Sequence, residues 1–216
     1  MIHILDAFIN SLGGFLTAIP GVIIAVTLHE YTKSLVAHKL GDTGIKAQGR
    51  LAPNPLKHMD ILGSIFLVFF SYGWASPVRL GAFSVEARRK AMLLIFVMPF
   101  LVNIIIGMFF SVGANFFSIS LAPGLLGTMS AQTLIIIGDI LFFAAFYNIS
   151  FALFSLIPVY PLNGTHLLWA IKPAWAVKVS QYEGILKLVL VFFIILTFAS
   201  QIFTPLTLRV ILAFSF

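Results

Sequence analysis

The sequence predicts an all-α polytopic membrane protein with a small membrane-associated extended or β segment, and three observations predict it. Of its 216 residues, 60% are hydrophobic and only 9% are charged, against about 25% charged in a soluble domain. Mean hydropathy is +1.07, so the chain is solvated mainly by lipid. Apolar stretches of helical length alternate with shorter basic or Pro/Gly-rich ones, the pattern of spans and loops. The length suits one membrane domain, residues 1–216, with no room for a large soluble module. No cysteine is present, which excludes disulfides, thiolate metal sites and cysteine nucleophiles. The net charge of +6 fits basic cytoplasmic loops, and no nucleic-acid motif accompanies it. The N-terminus lacks a basic leader and a cleavage site and is expected to be mature sequence.

Residues 4–39 read as one long helical region interrupted at Pro20-Gly21, with a first span over 15–28 and Gly41-Asp42 as its stop. Residues 41–60 carry Gly44, Gly49, Pro53 and Pro55 and read as an extended or hairpin segment. The apolar stretch 61–75 has 15 residues, or ~22 Å of helix against a ~30 Å hydrocarbon core, so a re-entrant element is expected. Residues 76–90 are polar and basic. The clearest span is 91–112, with no charge in 22 residues, and 113–131 is an uncharged loop. A further span covers 132–157, with Asp139 inside it. Two prolines and an Asn-Gly pair make 158–164 non-helical. Trp169, Trp175, Lys172 and Lys178 suit 167–183 to the membrane surface. A last apolar span begins at Gly184, with Pro205 as its expected break.

Eight basic residues lie in 39–60 and 76–90, and none in 113–131. The excess of Lys and Arg places the first two stretches in the cytoplasm and the uncharged loop outside. His29 and Glu30 then fall in the cytoplasmic half of the membrane, level with the 158–164 break.

Ionisable groups inside a membrane are costly and are functional candidates. His29-Glu30 opens a pattern close to H-E-x-x-H, in which two histidines four apart share a helix face and hold Zn²⁺ beside a glutamate base. Lys33 stands where the second histidine belongs. Lys33, Glu30 and His29 share one helix face, so Lys33 and Glu30 are expected to form an ion pair. His58 is expected to make a loop hydrogen bond and Asn148 an interhelical one, while a rearranged site would be built from His29 and His166. Asp139 is expected to pair with Arg209 or with a partner protein.

Five stretches, 28–42, 49–63, 73–78, 88–103 and 148–164, together resemble the site-2 protease family of intramembrane zinc metalloproteases, in its short bacterial form. The resemblance implies a three-helix catalytic core. It assigns His29 to the first zinc ligand and Glu30 to the general base. Pro99 and Asn103 match a substrate-side Gly-Pro-x-x-x-Asn motif, with Met98 in place of its glycine. The second ligand position holds Lys33, and the aspartate ligand position holds Asn163. In an intact site of this kind, zinc is balanced by the glutamate and the aspartate. Here the Lys33 and Glu30 charges cancel and Asn163 adds none.

One good ligand of three remains, too few for catalytic zinc, which takes three protein ligands and a water. The expectation is a catalytically inactive, site-2 protease-like scaffold or subunit of a membrane protein complex. Its expected surroundings are the lipid bilayer and other membrane subunits, without nucleic acid and without a cofactor. It is expected to be a multi-pass protein of the bacterial cytoplasmic membrane. The alternative is an active metalloprotease that binds zinc through a rearranged site and cleaves transmembrane substrates.

Overall fold

The computed structural model describes residues 12–81, 85–119 and 130–214. The start of the first helical region and most of the uncharged loop lie outside the described residues. Those described form an all-α membrane protein. Its helices, in order, are α1 (Leu12–Lys39), α2 (Gly44–Ala47), α3 (Pro55–His58), α4 (Ile61–Phe70), α5 (Val85–Ile119), α6 (Ala131–Phe154), α7 (Gly164–Ile171), α8 (Pro173–Ser180), α9 (Glu183–Ile195) and α10 (Phe198–Ala213). By length and composition α5 and α6 are able to cross a membrane, and α9 with α10 adds a third crossing if the bent pair is one span. The first span expected over 15–28 lies within α1.

Helices α1, α5 and α6 pack against one another and make the core that carries the candidate site. Two glycines set how closely they approach. A Cβ at Gly21 of α1 would lie 2.8 Å from the Phe143 carbonyl of α6, and one at Gly107 of α5 would lie 2.5 Å from the Ile149 side chain. α1 runs unbroken through Pro20, contrary to the expected interruption there. Proline removes one backbone bond, and the flanking turns together with α6 tolerate that loss.

The extended segment expected over 41–60 is reduced to an isolated antiparallel bridge between Met59 and Ala75. The rest folds as loops around the short helices α2 and α3. Asn54 caps α3 through its side chain, and Pro55 starts it with a preset φ. The re-entrant reading of 61–75 does match the chain path. α4 ends at Ser71 in a left-handed conformation (φ 65°), and the chain doubles back to pair Ser76 N–H with the His58 carbonyl at 2.9 Å. Asp60 pins both arms, accepting from Gly63 N–H at 2.8 Å and from Trp74 Nε1–H at 3.0 Å. The hairpin is anchored laterally where the Tyr72 hydroxyl meets Thr204 Oγ1 of α10 at 2.9 Å.

The last apolar region breaks at Thr197 (φ 63°), where α9 and α10 meet at 68°, and not at Pro205, which lies inside α10. A left-handed residue ends a helix more sharply than a proline that costs one carbonyl its partner. The basic stretches 39–60 and 76–90 meet at one end of the core. Ala37, Ile45, Val78, Ala91 and Ile95 pack together there, and Arg50 donates to the Ser76 carbonyl and hydroxyl, both at 2.8 Å.

The hairpin closes only because its arms touch without side chains. A Cβ on Gly63 would stand 2.1 Å from the Trp74 carbonyl, and one on Gly73 would stand 2.1 Å from the Gly63 carbonyl. Gly63→Ala or Gly73→Ala is expected to destabilise by at least about 2 kcal/mol through overpacking against backbone. Gly184→Ala, which meets nothing within 4 Å, should be neutral or stabilising by less than about 1 kcal/mol. Thermal unfolding in detergent distinguishes them. Equal melting temperatures for all three variants would contradict the close approach.

Candidate functional site

The second half of α1 turns one face, with His29, Glu30 and Lys33, into the core. Their exposures are only 1%, 2% and 2%. The expected ion pair is formed, with Lys33 Nζ 2.5 Å from Glu30 Oε1. Helical i, i+3 spacing brings these groups together without help from other elements. Ser34 donates its hydroxyl back to the Glu30 carbonyl at 2.8 Å, a bond that turns a small polar side chain inward at no cost to the helix. The second Glu30 oxygen, Oε2, and both ring nitrogens of His29 are buried without a hydrogen-bond partner. The His29 ring meets Phe151 of α6 edge-on at 5.0 Å.

Asn163 is buried at the end of the 158–164 break. Gly164 closes that loop over the end of α6: its N–H donates to the Ser155 carbonyl at 2.7 Å, and a Cβ there would lie 2.2 Å from the Leu156 carbonyl. Asn163 Nδ2 donates to the Phe96 carbonyl of α5 at 2.9 Å, and its Oδ1 has no partner. Pro99 lies three residues beyond Phe96, in the turn of α5 where a missing N–H loosens the backbone ladder. One turn further, Asn103 is fully buried and donates from Nδ2 to the Ala25 carbonyl of α1 at 3.1 Å. What Asn103 retains for another molecule is its unpartnered Oδ1.

His166 follows on α7, half-buried, and lies within electrostatic reach of His29 and Lys33. A second tier comes from the 49–63 stretch of the family resemblance, which assigns Arg50 and His58 no ligand role. Arg50 and His58 both feel the Glu30 charge. His58 makes the loop hydrogen bond expected of it, donating from Nε2 to the Ala52 carbonyl at 2.9 Å. Burial pushes its imidazole below the usual histidine range, against the pull of that carbonyl and of Glu30.

Two contacts expected within the chain are not formed. Asn148 bonds within its own helix, to the Ala144 carbonyl at 2.7 Å, and not across helices, because the i−4 carbonyl lies within reach of a short amide. Asp139 and Arg209 do not pair. The one ion pair among the described residues is Lys33 with Glu30. α10 buries Thr207 and Ile211, with Thr207 Oγ1 3.1 Å from Ser150 Oγ. Arg209 lies two residues from each, about 200° around the helix, and so on its exposed side.

The residues at the family's metal-site positions are therefore one imidazole, a carboxylate engaged by an ammonium, and an amide. Among the described residues no three His, Cys, Asp or Glu side chains are grouped to hold a metal. This set does not fit a catalytic zinc, which takes three protein ligands and leaves an open position for water.

No family model matches the chain, and no solved structure matches it. The chain is 30% identical over 166 residues to a protein of Bacillus subtilis (strain 168) named "Putative zinc metalloprotease YwhC". The aligned region spans 76% of this chain and 73% of that relative.

Removing one partner of a buried ion pair leaves the other uncompensated, at about 3–5 kcal/mol. Lys33→Ala is expected to destabilise by that amount, and Lys33→Ala with Glu30→Gln to recover most of it. Chemical or thermal unfolding of the two variants in detergent measures the difference. A double variant no more stable than Lys33→Ala would show that the pair's charges are not coupled.

Proposed function

Because the chain belongs to the site-2 protease-like family of zinc metalloproteases, we propose that it is a catalytically inactive member, a pseudoprotease. It keeps the family's helix core as a scaffold or subunit of a membrane protein complex. We place it as a multi-pass protein of the bacterial cytoplasmic membrane. The observation that carries this reading is the Lys33 ammonium bound to Glu30 beside His29. A glutamate acting as general base needs a free carboxylate next to an activated water. Here an ammonium takes one of its oxygens, and a cation in that place repels a dication. Asn163, at the position of the third ligand, has turned its donor toward the Phe96 carbonyl. An aspartate would have no hydrogen to give that carbonyl and would add a charge to a pair that is already neutral. Lys33 and Asn163 therefore support each other, and neither supports zinc. Pro99 and Asn103, on the substrate side in the family, would serve a bound partner in this reading.

A second reading is an active metalloprotease with a rearranged site. It draws on the unpartnered nitrogens of His29 and on the nearness of His166.

Elemental analysis of protein purified without chelators separates the two. The expected result is zinc far below one per chain. Stoichiometric zinc that disappears in His29→Ala would overturn the pseudoprotease reading and favour the rearranged site. Lys33→His together with Asn163→Asp is expected to gain zinc, while each change alone does not, since two protein ligands hold the metal weakly. Asn163→Asp alone should also lower the melting temperature, by setting a carboxylate against the Phe96 carbonyl. Copurification in mild detergent identifies the partner subunits.

A further inference from the structure

A second cavity, of about 270 Å³, opens among α5, α7, α8 and α9. Its polar lining is Arg88, Tyr160, Thr165, His166, Ser180 and Glu183, and its walls include the apolar Met92 and Val179. Arg88 and Glu183 have opposite charges and face the same space. Yet neither forms an ion pair with the other or with any described residue. The Arg88 guanidinium stands 4.9 Å over the Trp169 ring, which orients it without supplying a counter-charge.

The chemistry of α8 gives the level of this cavity in the membrane. Ala176, Val179 and Ser180 line it. Trp175, 61% exposed, and Val177, 47% exposed, lie on the outer surface of the same helix. Lys178 is 6.0 Å from the Trp175 ring, and exposed Ile171 and Lys172 precede the helix. Exposed aromatic and aliphatic groups interleaved with lysines mark a helix lying in the membrane–water interface. A cavity beneath such a helix opens where lipid headgroups sit.

We propose that this cavity binds the headgroup of a zwitterionic phospholipid, phosphoethanolamine, with its phosphate at Arg88 and its ammonium at Glu183. An anionic headgroup would set a phosphate against Glu183, and a purely cationic ligand would leave Arg88 unmatched. Only a zwitterion answers both charges. The Tyr160, Thr165 and Ser180 hydroxyls are available as donors to the remaining phosphate oxygens. The volume lies just below the ~300–1,000 Å³ of ordinary ligand pockets, which suits a headgroup and excludes a polypeptide helix. Neither Glu30 nor Lys33 lines the cavity, although His166 links it to them, and headgroup binding does not depend on whether the protein is a protease.

Native mass spectrometry of the protein in mild detergent tests this, with phosphatidylethanolamine, phosphatidylglycerol and phosphatidylcholine added at equal concentrations. Phosphatidylethanolamine is expected to bind about tenfold more tightly than the other two, the worth of one charged hydrogen bond. Arg88→Gln should lower its binding by a similar factor. Glu183→Gln should erase its preference over phosphatidylglycerol, and Glu183→Lys should reverse it. Circular dichroism and tryptophan fluorescence confirm that each variant is folded. Equal binding of the three lipids, or a preference unchanged in both Glu183 variants, would overturn the proposal. Displacement of the lipid by an equal concentration of soluble phosphoethanolamine would also overturn it, assigning the cavity to the free headgroup.

Discussion

A buried ion pair within one turn of α1 is the constraint that the helices around it must meet. Glu30 and Lys33 are almost wholly withdrawn from solvent, and each ion costs several kcal/mol to desolvate after relaxation. Their cancellation is local, so the cost is contained only while the face of α1 stays enclosed. Phase and depth of α1 are then set by its neighbours: Phe151 against His29, the Asn103 amide on the Ala25 carbonyl, and Gly21 against the backbone of α6. A rotation of α1 that carried Lys33 toward lipid would break all three contacts together.

The buried amides follow one pattern. Asn103, Asn148 and Asn163 each donate Nδ2 to a helix carbonyl and leave Oδ1 without a partner. Two of the three bonds join different elements to the core, at points where a carboxylate in place of the amide would offer no donor. Neutral amides thus do the joining within the helix core, where the charge is carried by the Glu30–Lys33 pair. The same economy explains why a lysine at 33 and an asparagine at 163 occur in one chain. Either alone would leave the interior with an unmatched group.

The end of the molecule that gathers the basic stretches is built differently. Here the loops are held by polar side chains that reach across them: Asp42 to Gly44 N–H and Gly81 N–H, Arg50 to Ser76, and Gln48 to the Arg79 backbone. These bonds bring the two basic stretches together, while the Tyr72–Thr204 bond holds the hairpin of α4 against α10. Arg88 and Glu183 belong to this end and, unlike Glu30 and Lys33, do not neutralise each other. Charges left unmatched beside lipid are the feature that distinguishes a binding cavity from a packed interior.

Much was determined by local sequence. Hydropathy and length specify the helical membrane fold, the short apolar run at 61–75 specifies its return, and the i, i+3 spacing of Glu30 and Lys33 specifies their pairing, because each depends on neighbours along one helix. His58 likewise found its partner within its own loop. What the sequence left open depends on groups distant in the chain. The Asn163–Phe96 bond spans 67 positions and needs the loop folded over α6. The exposed side of α10 separates Arg209 from Asp139, although composition matches the two charges. The break at Thr197 arises from a left-handed backbone that no residue preference at threonine announces. The extended segment collapsed into short helical turns because its backbone groups found partners in the neighbouring loops rather than in a second strand. Periodicity and charge act along the chain, but which carbonyl an amide reaches, and which face of a helix is covered, exist only once the helices are packed.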